Sequence, residues 1–162
     1  MTEVFVGIGS NVEPERRVRE AVRGLRQRFG VLRVSPVYRN PAVGFKGDDF
    51  LNLAVKFESN QNAASVHAAL DEIELQCGRT RGGPRFAPRT LDLDLLLYGD
   101  LISESPLKLP RREILKYAYV LKPLTDLAPE RRHPLTGRSF AEHWRAFDAA
   151  GQPLVAVVLQ GL

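Results

Sequence analysis

Two aspartates, Asp92 and Asp94, are spaced two residues apart in a run of alternating leucines. Side chains at i and i+2 of a β-strand point to the same face, with their Cα atoms roughly 6.5–7 Å apart. Two carboxylates placed in this way suit a hard divalent cation such as Mg²⁺, which proteins hold with one or two carboxylates plus substrate phosphates. Paired acids also occur on solvated strand faces, so the pair alone leaves a surface role open.

The segment before these aspartates is basic, with no Asp or Glu between residues 75 and 91. Its four charged residues are Arg79, Arg81, Arg85 and Arg89, so its charge of +4 equals the net charge of the whole chain. Arginine binds phosphate bidentately. Carboxylates for a metal beside arginines for phosphates indicate a nucleoside-triphosphate site, although an arginine-rich solvated loop is the simpler alternative. The absence of a GxxxxGK[ST] motif excludes a P-loop mechanism.

Composition places the chain among ordinary globular proteins. It has 162 residues, 44% hydrophobic and 26% charged, which predicts one domain over residues 1–162 and excludes a disordered chain or a coiled coil. No apolar stretch approaches the roughly 18 residues needed to span a bilayer. The first residues do not resemble a secretory signal, and Cys77 has no second cysteine to pair with. We therefore expect a cytoplasmic protein without a membrane partner.

Hydrophobic periodicity predicts the order strand–helix–strand–strand–helix–strand. The strands are expected at residues 3–8, 31–38, 51–57 and 90–98, with Pro36 interrupting the second. In the last strand Leu91, Leu93, Leu95 and Leu97 are expected to share one face. Shorter elements are expected near residues 107–109, after Pro110, and at 117–127, 140–147 and 154–159. This order favours an α+β fold with both main helices on one face of an antiparallel sheet, as in the ferredoxin-like arrangement.

The end of the first strand carries two glycines. Gly7 and Gly9 are expected to form a tight turn into the first helix, since a third glycine of the dinucleotide-binding fingerprint is missing. Ser10 or Asn11 is expected to cap that helix, and Pro14 suits its first turn.

Four segments carry a resemblance to a known family. They are VGIGSN near the N-terminus, YRNPAVG with FLNLAV, the run GRTRGGPRFAPRTLDLDLLLYGD, and LPRREILKYAYVLKPLTDLAP. In order and spacing they resemble 6-hydroxymethyl-7,8-dihydropterin pyrophosphokinases of folate biosynthesis. The resemblance extends to about residue 137; the APRTLDLDLLLYG segment is highly specific, whereas VGIGSN alone would be weak.

The resemblance implies a ferredoxin-like βαββαβ core with a short C-terminal extension, and an activity of class EC 2.7.6.3. In that reaction the β,γ-pyrophosphoryl group of ATP passes to the pterin hydroxymethyl oxygen and AMP is released. Asp92 and Asp94 would hold two Mg²⁺ ions, and Glu74 would contact the nucleotide. The phosphates would be contacted by arginines, two of them on a closing loop: Arg79 and Arg89, with Arg81 and Arg85 on the loop.

The resemblance also assigns the pterin pocket. Asn52 would hydrogen-bond the pterin edge, and Phe50 and Tyr119 would sandwich the ring. Backbone groups of four loop residues would line the pocket: Asn40, Pro41, Val43 and Gly44. From pattern alone, the two aromatic residues are better explained as core residues and the asparagine as a polar residue at a strand end.

The chain departs from the family pattern at a few positions. Arg111 stands where a histidine is usual, and Tyr117 where an arginine is usual. Arg111, Arg112 or Lys116 is then expected to supply the later phosphate contacts. In the closing loop, Phe86-Ala87 replaces the usual Trp-Gly.

Two other functions remain open at this point. A ferredoxin-like RNA-binding module would need exposed aromatic residues on its central strands, whereas Asp92 and Asp94 would repel phosphate there. The second alternative is a family member that has lost its catalytic activity. We expect small-molecule partners, ATP and the hydroxymethylpterin, no nucleic acid, and a monomer or weak homodimer.

Overall fold

The computed structural model describes residues 1–44, 46–78 and 91–162. The described residues form a mixed α/β structure with a six-stranded antiparallel sheet and four α-helices. In chain order the elements are β1 (Thr2–Ser10), α1 (Pro14–Phe29), β2 (Arg33–Val34), β3 (Val37–Asn40), β4 (Phe50–Ser59), α2 (Ala63–Gly78), β5 (Asp92–Tyr98), a 3₁₀ turn (Arg112–Leu115), α3 (Ala118–Leu127), α4 (Phe140–Ala146) and β6 (Val155–Val157).

The sheet runs in the order β5-β1-β4-β3-β6, with β2 also paired to β4. The predicted second strand is divided into β2 and β3 around Pro36, which lacks the N–H that a continuous ladder needs. The long central strands β1 and β4 pair over nine residues, from Thr2↔Ser59 to Ser10↔Leu51. This central pair determines which residues of β1 and β4 lie side by side, among them Gly9 and Asn52.

Each face of the sheet is covered by its own helices. On one face, β1, β4 and β5 pack their alternating apolar residues against α1 and α2, as predicted. On the other face, Phe5, Ala54, Leu96 and Leu97 pack with residues of α3 and with Phe140 of α4. Burying apolar side chains on both faces of the sheet stabilises this three-layer arrangement.

The prediction that Leu97 shares a face with Leu91, Leu93 and Leu95 is wrong. The β1–β5 register shifts so that Phe5 pairs with Leu97 and Val6 with Leu95, leaving one extra residue in β5. A β-bulge of this kind reverses the alternation of the residues that follow it. Leu97 therefore packs beside α3, while Tyr98 packs on the α1 and α2 side.

The segment after β1 also differs from expectation. Gly7 and Gly9 lie within β1, paired on both sides, and do not form a turn. The N-cap of α1 is Glu13, with a left-handed φ of 45°, so neither Ser10 nor Asn11 caps this helix. Pro14 does begin the helix as predicted.

The later short elements are close to their predicted positions. The strand expected at residues 107–109 is reduced to a single bridge between Ser103 and Leu109, and the helical turn after Pro110 is the 3₁₀ turn. The last strand, β6, lies at the sheet edge beside β3. In the part of the chain that the structure describes, no helix combines the length and apolar character required to cross a bilayer.

Candidate functional site

A cleft with a cavity volume of about 150 Å³ opens between the central strands and α3. It is lined by residues of β1, β3, β4, β5, α3 and the loop after β3. The lining residues are Gly7, Ile8, Gly9, Asn40, Val43, Phe50, Asn52, Leu53, Ala54, Asp92, Asp94, Leu96, Tyr119 and Val120. The cleft thus brings together both predicted metal ligands and most of the predicted pterin residues.

One end of the cleft is acidic. Asp92 and Asp94 are half-buried on β5 and both line the cleft, so the prediction that they share a face is confirmed. Arg111 Nη2 lies 3.5 Å from Asp94 Oδ1, and Arg111 Nε lies 3.1 Å from Glu113 Oε2. We call Asp92, Asp94 and Arg111 the acidic end. Its carboxylates and the arginine form a set that can hold both a cation and an anion.

The floor of the cleft is made by Gly7 and Gly9. Gly9 pairs with Asp92 on one side and with Asn52 on the other, and Gly7 pairs with Asp94. A Cβ atom on Gly9 would lie 2.6 Å from Asn52 Oδ1, a separation too short for any real contact. Sequence reasoning missed this role, although two glycines at i and i+2 of a strand could have indicated an open sheet face.

The other end of the cleft carries amides and aromatic rings. Asn52 is buried on β4, and its Nδ2 donates a hydrogen bond of 2.6 Å to Asn40 Oδ1. Phe50, at the start of β4, and Tyr119, in the first turn of α3, also line the cleft. We call these four residues the amide–aromatic end. The arrangement offers hydrogen-bonding and stacking groups to a flat polar ring.

Tyr119 is held in a partly apolar, acidic environment. Burial, followed by the neighbouring Tyr117, Asp94, Glu113 and Asp92, raises the pKa of Tyr119 to about 12. Its ring stacks on that of Tyr117, with centroids 5.1 Å apart and an interplanar angle of 24°. The hydroxyl therefore stays neutral throughout the physiological range, which leaves the ring free to stack without adding charge.

The three cations proposed as late phosphate contacts occupy different places. Of the three, Arg111 is the one that lies beside Asp94. Arg112 is exposed and close enough to Glu104 to lower the pKa of that carboxylate, after the larger effect of Lys108. Lys116 Nζ lies 5.4 Å from the ring centroid of Tyr117.

Glu74 belongs to α2 and lies against β5, and it is not among the residues that line the cleft. It is 6% exposed, and its Oε1 accepts a hydrogen bond of 2.7 Å from the backbone N–H of Leu93, between the two aspartates. It thereby ties α2 to the strand that carries the acidic end. The predicted phosphate ligands Arg79, Arg81, Arg85 and Arg89, and Phe86-Ala87, lie outside the described residues.

A second cavity of about 160 Å³ adjoins the amide–aromatic end and shares Asn40, Val43 and Tyr119 with the cleft. Pro41 lines this second cavity only. Its far wall comes from the C-terminal segment, with Gly151, Gln152, Pro153 and Leu154. Gly44 belongs to the loop beside Val43, with φ at 85°, but lines neither cavity among the described residues.

The chemistry of the acidic end fits a divalent cation. Carboxylate oxygens are the ligands that Mg²⁺ prefers, and it keeps several waters or phosphate oxygens as further ligands. No group of three His, Cys, Asp or Glu side chains that could hold a metal occurs within residues 1–44, 46–78 and 91–162. A cation at Asp92 and Asp94 would therefore complete its coordination with water and the oxygens of a bound phosphate.

Comparison with known proteins gives a consistent picture. The family model for 7,8-dihydro-6-hydroxymethylpterin-pyrophosphokinase (HPPK) matches residues 5–129. A 2-amino-4-hydroxy-6-hydroxymethyldihydropteridine pyrophosphokinase of Pseudomonas aeruginosa is 37% identical over 86% of this chain and 88% of its own. One from Bacillus subtilis is 33% identical over 78% of each chain.

Solved structures share the fold. A crystal structure of wild-type Plasmodium falciparum HPPK-DHPS superposes with a TM-score of 0.69 at 12% identity. The match covers 90% of this chain and 44% of that chain. The present chain therefore spans less than half the length of that protein.

Proposed function

The chain belongs to the 7,8-dihydro-6-hydroxymethylpterin-pyrophosphokinase family, and we propose that it transfers pyrophosphate from ATP to 6-hydroxymethyl-7,8-dihydropterin in folate biosynthesis. The pterin hydroxymethyl oxygen attacks the β-phosphorus and gives up its proton to solvent, the bond between the β-phosphorus and the oxygen that bridges it to the α-phosphorus breaks, and AMP leaves with that oxygen. The observation that carries the proposal is that one cleft joins two carboxylates on a strand to an amide and aromatic pair. The first set suits a metal-bound triphosphate, and the second suits the pterin ring.

At the acidic end, Asp92 and Asp94 are proposed to hold two Mg²⁺ ions. When bound, the cations neutralise charge on the transferring phosphates. The protein itself contributes position: the i, i+2 spacing on β5 fixes both carboxylates on the cleft side, and Glu74 anchors the strand between them. Pyrophosphoryl transfer needs in-line geometry and little covalent help from side chains.

At the amide–aromatic end, the ring is proposed to stack between Phe50 and Tyr119. Asn52 then faces the ring edge with its side-chain amide, and its bond to Asn40 fixes which way that amide points. Backbone groups of the loop after β3, at Pro41, Val43 and Gly44, are proposed to complete the pocket. The hydroxymethyl group is proposed to point toward the acidic end, which lies across Gly9 from Asn52, because Gly9 pairs with Asn52 on one side and with Asp92 on the other.

Phosphate binding is proposed to rest on arginines. Arg111 supplies the contact nearest Asp94, with Arg112 close by on the 3₁₀ turn. The family resemblance adds Glu74 as a nucleotide contact and four arginines of the preceding segment: Arg79, Arg81, Arg85 and Arg89. Arg111 beside Asp94 would balance the carboxylate charge before the cation arrives and the triphosphate charge afterwards.

The organisation of the protein forms part of the proposal. The strand order, with β1 between β5 and β4 and with β3 beyond β4, favours a ferredoxin-like core in one domain over residues 1–162. We propose a cytoplasmic monomer or weak homodimer that acts on small molecules, and light scattering at micromolar concentration tests the oligomeric state.

The experiment that tests the function mixes the protein with ATP, Mg²⁺ and 6-hydroxymethyl-7,8-dihydropterin and separates the nucleotides by chromatography. We expect AMP to form in step with pyrophosphorylated pterin, and to form only when both pterin and Mg²⁺ are present. Formation of ADP, or AMP formation that is independent of the pterin, would contradict the proposal.

The RNA-binding alternative is not supported. Stacking of bases on a sheet needs an open face with exposed aromatic rings. Here α1 and α2 cover one face of the sheet, and α3 and α4 pack on the other.

A further inference from the structure

The C-terminal segment of residues 151–157 lies beyond the residues 5–129 that match the family model, yet it forms part of the site. Gly151, Gln152, Pro153 and Leu154 line the second cavity, opposite Asn40 and Tyr119. The segment thus contacts the amide–aromatic end from the side away from the aspartates.

Gln152 holds the beginning of α3. Its Oε1 accepts a hydrogen bond of 2.9 Å from the backbone N–H of Ala118, the first residue of that helix. Its Nε2 donates a hydrogen bond of 3.4 Å to the carbonyl oxygen of Lys116. The first N–H groups of a helix have no partner inside it, and the side chain of the N-cap residue Tyr117 supplies none. Gln152 supplies that partner from 34 residues away.

The residues after Gln152 pair with β3, the strand on the other side of the second cavity from α3. β6 pairs with β3 in the register Val37↔Val157, Tyr38↔Ala156 and Arg39↔Val155. The next residue of β3 is Asn40, which accepts the hydrogen bond from Asn52. One short segment therefore connects the first turn of α3, where Tyr119 lies, to β3, the strand that carries Asn40 of the amide pair.

The far end of α3 is fixed to the same strand. The Tyr38 hydroxyl donates a hydrogen bond to Asp126 Oδ2, and Lys122 Nζ lies 2.8 Å from Asp126 Oδ1. The last turn of α3 is therefore tied to β3 by side-chain hydrogen bonds. Its first turn is held from outside the helix by the amide of Gln152.

We infer that Gln152 is a positioning residue for the pterin ring, acting through the backbone of Ala118 to set the distance between Tyr119 and the Asn40–Asn52 pair. The inference rests on the proposed function of the cleft. Loss of the Gln152 amide frees the first turn of α3 and weakens the stacking wall, while the acidic end, built on β5 and the 3₁₀ turn, keeps its geometry.

The test compares Gln152→Ala, Gln152→Glu and the control Gln27→Ala, an exposed glutamine on α1. For each protein, steady-state kinetics give KM for the pterin, KM for ATP and kcat, fluorescence titration gives the pterin Kd, and thermal unfolding reports stability. We expect Gln152→Ala to raise both KM and Kd for the pterin roughly fivefold, with KM for ATP within about twofold of wild type.

Gln152→Glu separates positioning from general destabilisation. It keeps an oxygen acceptor for the Ala118 N–H, and its negative charge is favourable at a helix N-terminus, but it loses the 3.4 Å hydrogen bond to the Lys116 carbonyl oxygen. We therefore expect its pterin Kd to lie closer to that of wild type than to that of Gln152→Ala. Equal loss in both variants, a pterin Kd unchanged in Gln152→Ala, or equal changes in KM for ATP and pterin would overturn the inference.

The two proposals fail in different ways. If the wild-type protein neither binds the pterin nor forms pterin-dependent AMP, the proposed function is wrong and the inference falls with it. If wild type is active and Gln152→Ala matches both wild type and Gln27→Ala, the inference alone is wrong.

Discussion

The two ends of the cleft are built in different ways. The acidic end rests mainly on one strand, where Asp92 and Asp94 are two residues apart and their common direction follows from strand alternation. The amide–aromatic end combines β3, β4, α3 and the C-terminal segment, whose residues are far apart in the chain. The first end depends on local geometry and the second on tertiary packing, so substitutions should affect them differently.

Under the proposed function, the difference also predicts which kinetic constant each end controls. Carboxylates beside a transferring phosphate act on the transition state, so their loss should appear in kcat. Rings and amides that hold the pterin act in the ground state as well, so their loss should appear mainly in KM for the pterin. Of the four predictions below, ordered from the largest effect on activity to the smallest, the first three test this division and the fourth concerns a residue away from both ends.

Asp92→Asn and Asp94→Asn should each lower kcat by a factor of about 10³ or more, because an amide is a poor ligand for Mg²⁺. Both side chains are half-exposed, so the fold should persist. AMP formation and thermal unfolding measure the two effects. The control is Asp71→Asn, an exposed carboxylate on α2. A near-normal kcat in either variant would show that the substituted aspartate is not a metal ligand.

Tyr119→Ala should raise KM for the pterin by about 30-fold through loss of a stacking ring. Tyr119→Phe keeps the ring, and we expect its KM for the pterin to stay within about threefold of wild type. Initial rates over a range of pterin concentrations give KM for each variant. If Tyr119→Ala raised KM for ATP and left KM for the pterin unchanged, the assignment of pterin binding to the amide–aromatic end would be wrong.

Gly9→Ala should raise KM for the pterin by about tenfold. The new Cβ would lie 2.6 Å from Asn52 Oδ1, so the Asn52 side chain must shift and its bond to Asn40 weakens. Gly7→Ala is the matched control, since a Cβ there meets only the Leu96 side chain, at 3.4 Å. Comparable KM values for the two variants would show that the Asn52 orientation does not control pterin binding.

The smallest effect on activity is expected away from both ends. Burial, and then His143, lowers the pKa of His133 to about 4. Because the unfolded chain takes up this proton near pH 6.5, the unfolded state binds more protons between pH 6.5 and 4, and stability falls as the pH falls through that range.

We therefore expect the unfolding midpoint to drop by about 4 °C between pH 7 and pH 5 through this group. In His133→Asn an amide oxygen can still accept a hydrogen bond from the Leu135 N–H. The unfolding midpoint of this variant should therefore fall less between pH 7 and pH 5 than that of wild type. Kinetic constants at pH 7.5 should stay near those of wild type. An unchanged pH slope in the variant would show that another group is responsible.

Much of the fold follows from sequence pattern. The apolar stripes of α1 and α2 and the alternation in β1 and β4 give the correct buried faces, because burial repeats with the period of each element. The direction of Leu97 could not be predicted, since the bulge in β5 depends on how β5 pairs with β1. The cap of α1 also differs, because the chain after β1 turns at Glu13.

For the site, the sequence alone determined which residue types are present and, through strand alternation, that Asp92 and Asp94 face one way. The resemblance supplied the expected pterin residues. Only the tertiary structure decided that Arg111 lies beside Asp94, that Gly7 and Gly9 form the cleft floor, and that Gln152 holds α3. Local pattern fixes the direction of a side chain within its own element, but contacts between elements depend on register and packing, which no short stretch of sequence encodes.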